Sequence, residues 1–202
     1  VDNTGTMFGE EYTLVAVADY VLSETPGNTV SNLSSSRALK DIAAQHNVEY
    51  YGSAVGEKNV VEKMKEVNAV IGGEGSGGII YPELHYGRDA LVGIALFLSH
   101  LARSKSTAQE LRASYTNYFM SKQKISLSDN GIISKLLSRF ASSYTEQEVS
   151  TIDGVRVDFE NSWVHVRASN TEPILRIYSE APTQDEADEL AERIIREINE
   201  LL

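Results

Sequence analysis

Residues 69–78 read AVIGGEGSGG, a short apolar run that passes directly into a glycine-rich loop. The apolar run is typical of a buried strand. It is one of several short β-rich runs that alternate with segments of helical periodicity between residues 9 and 83. Strands that alternate with helices form a parallel sheet with helices on its faces. The glycine-rich loop therefore follows the carboxyl end of a strand, where such sheets bind their ligands.

The elements around this loop extend the same pattern in both directions. Predicted helices cover 14–22, 37–44, 58–67 and 88–102, and predicted strands cover 28–33, 48–51 and 69–72. We expect residues 1–112 to form a Rossmann-like α/β/α domain with a mostly parallel sheet.

Beyond residue 107 the sequence changes character, because a polar segment with several tyrosines leads into short strand-like runs. The predicted strands here are 122–127, 148–152, 155–159, 163–167 and 174–178, and predicted helices begin at residues 132 and 183. We expect residues 125–202 to be a small α+β domain with a mostly antiparallel sheet. Residues 113–124 are assigned to a linker, so the predicted class is α/β with two domains.

Composition excludes several classes of function. The chain carries 29 acidic and 18 basic residues, a formal net charge of −11, which disfavours both nucleic acid and an anionic membrane as partners. Its longest apolar run, 90–98, is about half of the roughly 20 residues that span a bilayer. The chain has no cysteine, which excludes disulfides and thiol chemistry and fits a cytoplasmic location. Because it begins at Val1, we expect it to be part of a longer protein.

The glycine-rich loop carries two side chains suited to a sugar. Glu74 and Ser76 lie two residues apart and are expected to project toward the same side of an extended loop. A carboxylate accepts hydrogen bonds from hydroxyl groups, and a serine both donates and accepts them, so the pair suits a polyol. The alternative is a flexible glycine turn without a ligand.

A second loop, residues 167–173, is suited to phosphate. Arg167 offers a planar guanidinium group, and Ser169, Asn170 and Thr171 add hydroxyl, amide and backbone donors. The alternative is an ordinary hairpin connection. Arg176 is assigned a packing or ion-pair role on the following strand.

Other polar residues are weaker candidates. Residues 34–37 and 56–58 each lie between a strand and a helix, where they either bind an anion or merely cap the helix, so Arg37 and Lys58 are possible lesser contacts. The four histidines have no spacing that gathers metal ligands, and structural roles are favoured for them. No metal site is predicted.

Taken together, the G-E-x-S-G loop at 73–77 and the R-x-S-N-T-E-P loop at 167–173 resemble the α-D-phosphohexomutases, the phosphoglucomutase and phosphomannomutase family. The resemblance extends to residues 9–11, 55–58 and 87–90. It implies that Glu74 and Ser76 hold sugar hydroxyls and that Arg167, Ser169, Asn170 and Thr171 hold the substrate phosphate. Many members of the family have His where this chain has Gly78.

The resemblance also implies an enzyme of which this chain is only the third and fourth domains. Family members carry a phosphorylated serine and a D-x-D-x-D-R magnesium loop in their first two domains, and neither motif occurs here. The implied reaction converts hexose 1-phosphate and hexose 6-phosphate through a bisphosphorylated sugar, with Mg²⁺ and the N-terminal domains supplied by the full-length chain. No catalytic residue and no cofactor requirement is expected in these 202 residues. The alternative is a non-catalytic module that binds sugar phosphates, and glucose, mannose and amino sugars remain open as substrates.

Overall fold

The computed structural model describes residues 1–126, 132–169 and 172–201. The chain divides into two compact units, Val1–Thr116 and Asn117–Leu202.

The first unit alternates helices with short strands. Its elements are α1 (Glu10–Glu24), β1 (Thr29–Asn32), α2 (Ala38–Gln45), β2 (Tyr50–Ser53), α3 (Glu57–Glu66), β3 (Ile71–Glu74), β4 (Gly78–Ile80), α4 (Ala90–Ser104) and α5 (Ala108–Ala113). The strand order is β2-β1-β3-β4, with β1 to β3 parallel and β4 antiparallel to β3. Because β1, β2 and β3 are parallel, their carboxyl ends at Asn32, Ser53 and Glu74 share one edge of the sheet.

Two elements of this unit were not predicted. The segment 73–78 was expected to be an extended loop, but β3 continues to Glu74 and β4 begins at Gly78, so only residues 75–77 form the turn of a hairpin. The polar segment after residue 107 contains the short helix α5. It begins there because Thr107 and Glu110 form a capping box, in which each side chain accepts from the backbone N–H of the other residue.

The second unit is a five-stranded antiparallel sheet with two helices. Its elements are β5 (Phe119–Ser126), α6 (Ile133–Ser142), β6 (Glu148–Ser150), β7 (Val155–Asp158), β8 (Trp163–Ala168), β9 (Ile174–Ala181) and α7 (Gln184–Leu201). The strand order is β5-β9-β8-β7-β6. The predicted fold class is confirmed: a mixed, mostly parallel sheet is followed by an antiparallel one.

Residues 119–124 are part of this second sheet. The change in sequence character predicts a linker at 113–124, whereas β5 begins at Phe119 and pairs with β9 along its whole length. Leu127, the last residue of the strand predicted there, lies outside the described residues.

The core of the second unit lies on one face of its sheet. Alternate residues of the strands face α6 and α7 because side chains in a strand point to opposite faces in turn. The buried residues of this core are Leu136, Phe140, Val155, Val157, Val164, Val166, Leu175, Ile177, Leu190, Ile194 and Ile198. No helix among the described residues has the length and apolar character needed to cross a membrane.

We predict that Ile194→Ala lowers the free energy of unfolding of the second unit by about 2–5 kcal/mol, because it opens a cavity at a fully buried site. The single tryptophan, Trp163, lies in β8, so its fluorescence during denaturant unfolding reports on this unit. Ile152→Ala is the matched control, since Ile152 is 62% exposed, and it should change the value by less than about 0.5 kcal/mol. Equal effects of the two substitutions would contradict the assigned core.

Candidate functional site

Glu74 lies at the carboxyl edge of the first sheet and is held on one side by Asn32. Both residues are buried, and the Asn32 side-chain Nδ2 donates to Glu74 Oε1 at 3.0 Å. Asn32 Oδ1 accepts from the Ser34 backbone N–H at 2.9 Å and from the Ser35 hydroxyl at 3.1 Å. These two donors orient the amide, so its NH₂ group has to face the Glu74 carboxylate.

Arg88 holds Glu74 on the other side. Its Nη1 lies 3.1 Å from Glu74 Oε2, and its Nε donates to Glu57 Oε2 at 2.8 Å. The Arg88 backbone N–H donates to the second oxygen of Glu57 at 3.2 Å, and these two hydrogen bonds lower the pKa of the Glu57 carboxyl group. The guanidinium group is therefore fixed between two carboxylates.

Side chains from two other segments approach the backbone of the hairpin closely. A Cβ at Gly75 would lie 2.1 Å from the carboxylate oxygens of Glu11, and a Cβ at Gly78 would lie 2.5 Å from Arg88 Cδ. The Gly75 N–H also donates to the Ser35 hydroxyl at 2.9 Å. The turn therefore contacts both the loop that follows β1 and the start of α1, and these contacts fix its position.

Ser76 is exposed at the tip of this hairpin and borders an open cleft. The cleft has a volume of about 340 Å³, and its polar lining residues are Glu57, Ser76, Arg88 and Asp89. Arg88 both lines the cleft and contacts Glu74. Arg88 therefore connects Glu74 and Ser76, the two residues predicted to bind the sugar, although the sequence did not identify Arg88 as a site residue.

Neither of the two lesser candidates is among the residues that line this cleft. Lys58 is 85% exposed at the start of α3, with its Nζ 3.7 Å from Glu62. Arg37 immediately precedes α2 in the loop after β1. In the same loop the Ser36 backbone N–H donates to Glu11 at 2.8 Å, and the Ser36 hydroxyl accepts from the Ala38 N–H at 3.2 Å.

The histidines pair with groups of the protein. His46 contacts Asp19 at 2.7 Å and His85 contacts Asp89 at 3.0 Å. His165 is buried against the Asp153 carbonyl oxygen, and burial lowers its pKa to about 4. Residues 1–126, 132–169 and 172–201 contain no group of three or more His, Asp or Glu side chains that could hold a metal ion.

The second predicted site lies at the end of β8. Arg167 is largely buried, its Nη1 is 4.0 Å from Asp153, and its Nε has no hydrogen-bond partner within the described residues. The Ser169 backbone N–H donates to the Ile174 carbonyl oxygen at 2.9 Å, which closes the loop from β8 to β9. Asn170 and Thr171 lie outside the described residues.

Asn32, Glu57 and Arg88 were missed as site residues. Asn32 is separated from Glu74 by 42 positions and Glu57 from Arg88 by 31, so no local spacing connects them. One signal was available for Asn32: it is the next-to-last residue of the predicted strand 28–33, Glu74 follows the predicted strand 69–72 by two residues, and parallel strands end at the same edge of a sheet.

Two family models match the chain. The one described as phosphoglucomutase/phosphomannomutase, alpha/beta/alpha domain III, matches residues 9–118, and the one described as the C-terminal domain of the same family matches residues 102–197. A phosphoglucomutase/phosphomannomutase of Thermococcus kodakarensis is 33% identical over 205 residues, which cover 100% of this chain and 44% of that protein. The chain thus spans less than half the length of this relative.

Solved structures share the fold. A phosphoglucomutase/phosphomannomutase family protein of Burkholderia thailandensis superimposes with a TM-score of 0.81 at 23% identity, covering 98% of this chain and 43% of that one. An N-acetylphosphoglucosamine mutase of Aspergillus fumigatus, in complex with GlcNAc-6P and magnesium, superimposes with a TM-score of 0.65 at 17% identity, covering 96% and 44%. The chain belongs to the phosphoglucomutase/phosphomannomutase family, of which it carries the α/β/α domain III and the C-terminal domain.

Proposed function

We propose that this chain is the substrate-binding C-terminal part of a phosphohexomutase, which interconverts hexose 1-phosphate and hexose 6-phosphate through a phosphoserine and a bisphosphorylated sugar. The observation that carries the proposal is the Glu74 carboxylate, held between Asn32 and Arg88 at the strand edge of a unit that matches domain III of the family. A carboxylate oriented in this way is preorganised to accept hydrogen bonds from sugar hydroxyls.

The sugar is bound by the first unit. Glu74 and Ser76 contact its hydroxyl groups, while Arg88 keeps Glu74 in place and lines the cleft beside Ser76. Each oxygen of Glu74 already has one protein partner and retains a lone pair for a hydroxyl. Arg37 and Lys58 make lesser contacts with the substrate.

The phosphate is bound by the second unit. Arg167 presents a guanidinium group whose Nε has no protein partner in the described part of the chain, and Ser169, Asn170 and Thr171 supply further donors. A guanidinium group and a phosphate form a charge-assisted, often bidentate pair. Arg167 lies within β8, so the sheet positions its guanidinium group before the ligand arrives.

The reactive groups come from outside this chain. The phosphoserine and the magnesium ligands belong to N-terminal domains of the same protein, in keeping with a chain that covers only 44% of its relative. Bound magnesium would neutralise charge on the transferring phosphoryl group. What these residues contribute is the binding and orientation of a hexose phosphate in the cytoplasm.

We predict that the chain alone has no mutase activity. The assay offers glucose 1-phosphate or mannose 1-phosphate with glucose 1,6-bisphosphate and magnesium, and follows the appearance of the 6-phosphate. No turnover is expected, because neither the serine nucleophile nor the metal ligands are available. Turnover that disappears in Glu74→Ala would show that these residues carry the reaction themselves.

We also predict that Arg167→Ala weakens the binding of glucose 6-phosphate to the chain by roughly tenfold or more, because it removes a charge-assisted bond to phosphate. Backbone amide shifts of residues 167–169 and 172, followed during a titration, measure the affinity. Arg196→Ala is the matched control, since Arg196 is 67% exposed on α7. Unchanged amide signals of the loop at millimolar ligand would contradict the phosphate assignment.

A further inference from the structure

Helix α4 exposes apolar side chains where a surface helix normally carries charged ones. Leu91, Ile94 and Leu98 are three and four positions apart, so they form one stripe along the helix, and each is more than half exposed. Residues 90–102 contain no Asp, Glu, Lys or Arg. All of α4 lies within the described residues, and Gly93 alone among its fifteen is buried.

The helix α7 shows what a finished surface helix of this protein looks like. One side of α7 is apolar and packs on the core, and its exposed side carries charged residues such as Glu192 and Arg196. Helix α4 packs on α1 and β4 but presents a second apolar side to solvent. A contiguous apolar surface of this kind is typical of an interaction site.

The stripe borders an apolar cleft of about 310 Å³. The apolar residues that line this cleft include Val1, Phe8, Ile79, Ile94, Phe97 and Leu98. Phe8 and Phe97 pack edge to face, with their ring centres 4.9 Å apart. The described residues place no charged side chain in the lining, so the cleft suits the apolar side chains of another polypeptide segment.

The position of Val1 indicates which segment this is. Val1 lines the cleft, so any residues N-terminal to it leave from the edge of the cleft. The chain covers 44% of its Thermococcus relative and matches domain III and the C-terminal domain of the family, so the rest of such a protein precedes these two domains. A domain tethered at the edge of the cleft has a high effective concentration there.

We propose that the α4 face, defined as Leu91, Ile94, Phe97 and Leu98 with the cleft beside them, is the docking surface for the domain that precedes Val1 in the full-length protein. This inference rests on the proposed function in one respect, because both take the chain to be part of a longer protein. The surface that docks is apolar, since a charged group placed in the cleft loses its water without gaining a partner.

The cleft also reaches the sugar-binding hairpin. Gly77 and Ile79 line it, and the same two residues line the polar cleft beside Ser76. A domain docked on α4 therefore contacts the turn between β3 and β4. We expect docking to suppress the opening of this turn, in which the Gly77 N–H donates to the Glu74 carbonyl oxygen at 3.1 Å.

The test measures the accessibility of an introduced thiol in two proteins, the 202-residue chain and the full-length protein that contains it. The chain has no cysteine, so Leu98→Cys and Leu84→Cys each add one known site to it, and peptide mapping locates the same site in the full-length protein. Leu84 is the matched control, because it is 58% exposed against 57% for Leu98, belongs to the same unit and does not line the cleft. We expect a maleimide to modify position 98 at least about tenfold more slowly in the full-length protein, and position 84 at a similar rate in both.

Two outcomes of the labelling would overturn the proposal. One is equal modification of Leu98→Cys in the two proteins. The other is protection that disappears on dilution, as a dimer of the full-length protein dissociates, because it would assign the α4 face to a second copy. Docking within one chain requires a rate of modification that does not depend on protein concentration.

A second variant separates docking from a local role in α4. Leu98→Glu keeps a good helix former and adds a charge to the stripe. It should lower the melting temperature of the full-length protein by several degrees and leave that of the 202-residue chain unchanged, whereas Leu84→Glu should change neither. An equal decrease in both proteins would mean that Leu98 only stabilises its own helix.

Hydrogen exchange tests the contact with the hairpin. The amides of residues 75–78 should exchange more slowly in the full-length protein than in the 202-residue chain, and Leu98→Glu should remove this difference. Equal exchange in all three proteins would show that docking does not reach the turn. Neither labelling nor exchange uses a ligand, so these results are independent of the sugar and phosphate assignments. If position 98 is protected while glucose 6-phosphate fails to bind, the docking surface stands and the proposed function is wrong.

Discussion

The parallel pairing of β1 with β3 is the constraint on which the first site depends. It sets residues 29–31 opposite residues 71–73, so the two strands end side by side at Asn32 and Glu74. A one-residue shift in register would turn each side chain of β1 to the opposite face of the sheet, and Asn32 would then no longer face Glu74. The hydrogen bond from the Asn32 amide to the Glu74 carboxylate follows from this register, and the loops after both strands have to converge on that pair.

The strands of the second unit pair antiparallel, and this pairing separates the core from the charged side chains of the sheet. Alternation along antiparallel strands gives one face to the apolar core under α6 and α7 and puts Arg167 and Arg176 on the other face, which also carries the buried Trp163. The same backbone hydrogen bonds that hold the core thus also hold Arg167 and Arg176 in place. A binding surface on such a sheet needs no movement of the chain to form.

Local charge, and not the net charge, determines what each surface attracts. In the first unit Arg88 lies between the carboxylates of Glu57 and Glu74, so its charge is largely compensated and its main effect is to orient them. In the second unit the carboxylates beside Arg167 and Arg176 are farther away, with Asp153 at 4.0 Å and Glu172 at 3.7 Å. Salt screens charges beyond about 8 Å at physiological ionic strength, so an anion in contact with this face experiences those cations more than the distant acidic residues.

Apart from β4 and α5, the sequence alone determined the order of helices and strands, the two-part organisation and the candidates Glu74, Ser76 and Arg167, because periodicity and turn residues act over a few neighbouring positions. It did not reveal β4, since that strand is too short to have a period of its own. Only the tertiary structure brought Asn32 and Arg88 to Glu74 and aligned Arg176 with Arg167. Those contacts depend on strand order and register, which are set by the packing of the whole unit and not by the spacing of residues along the chain.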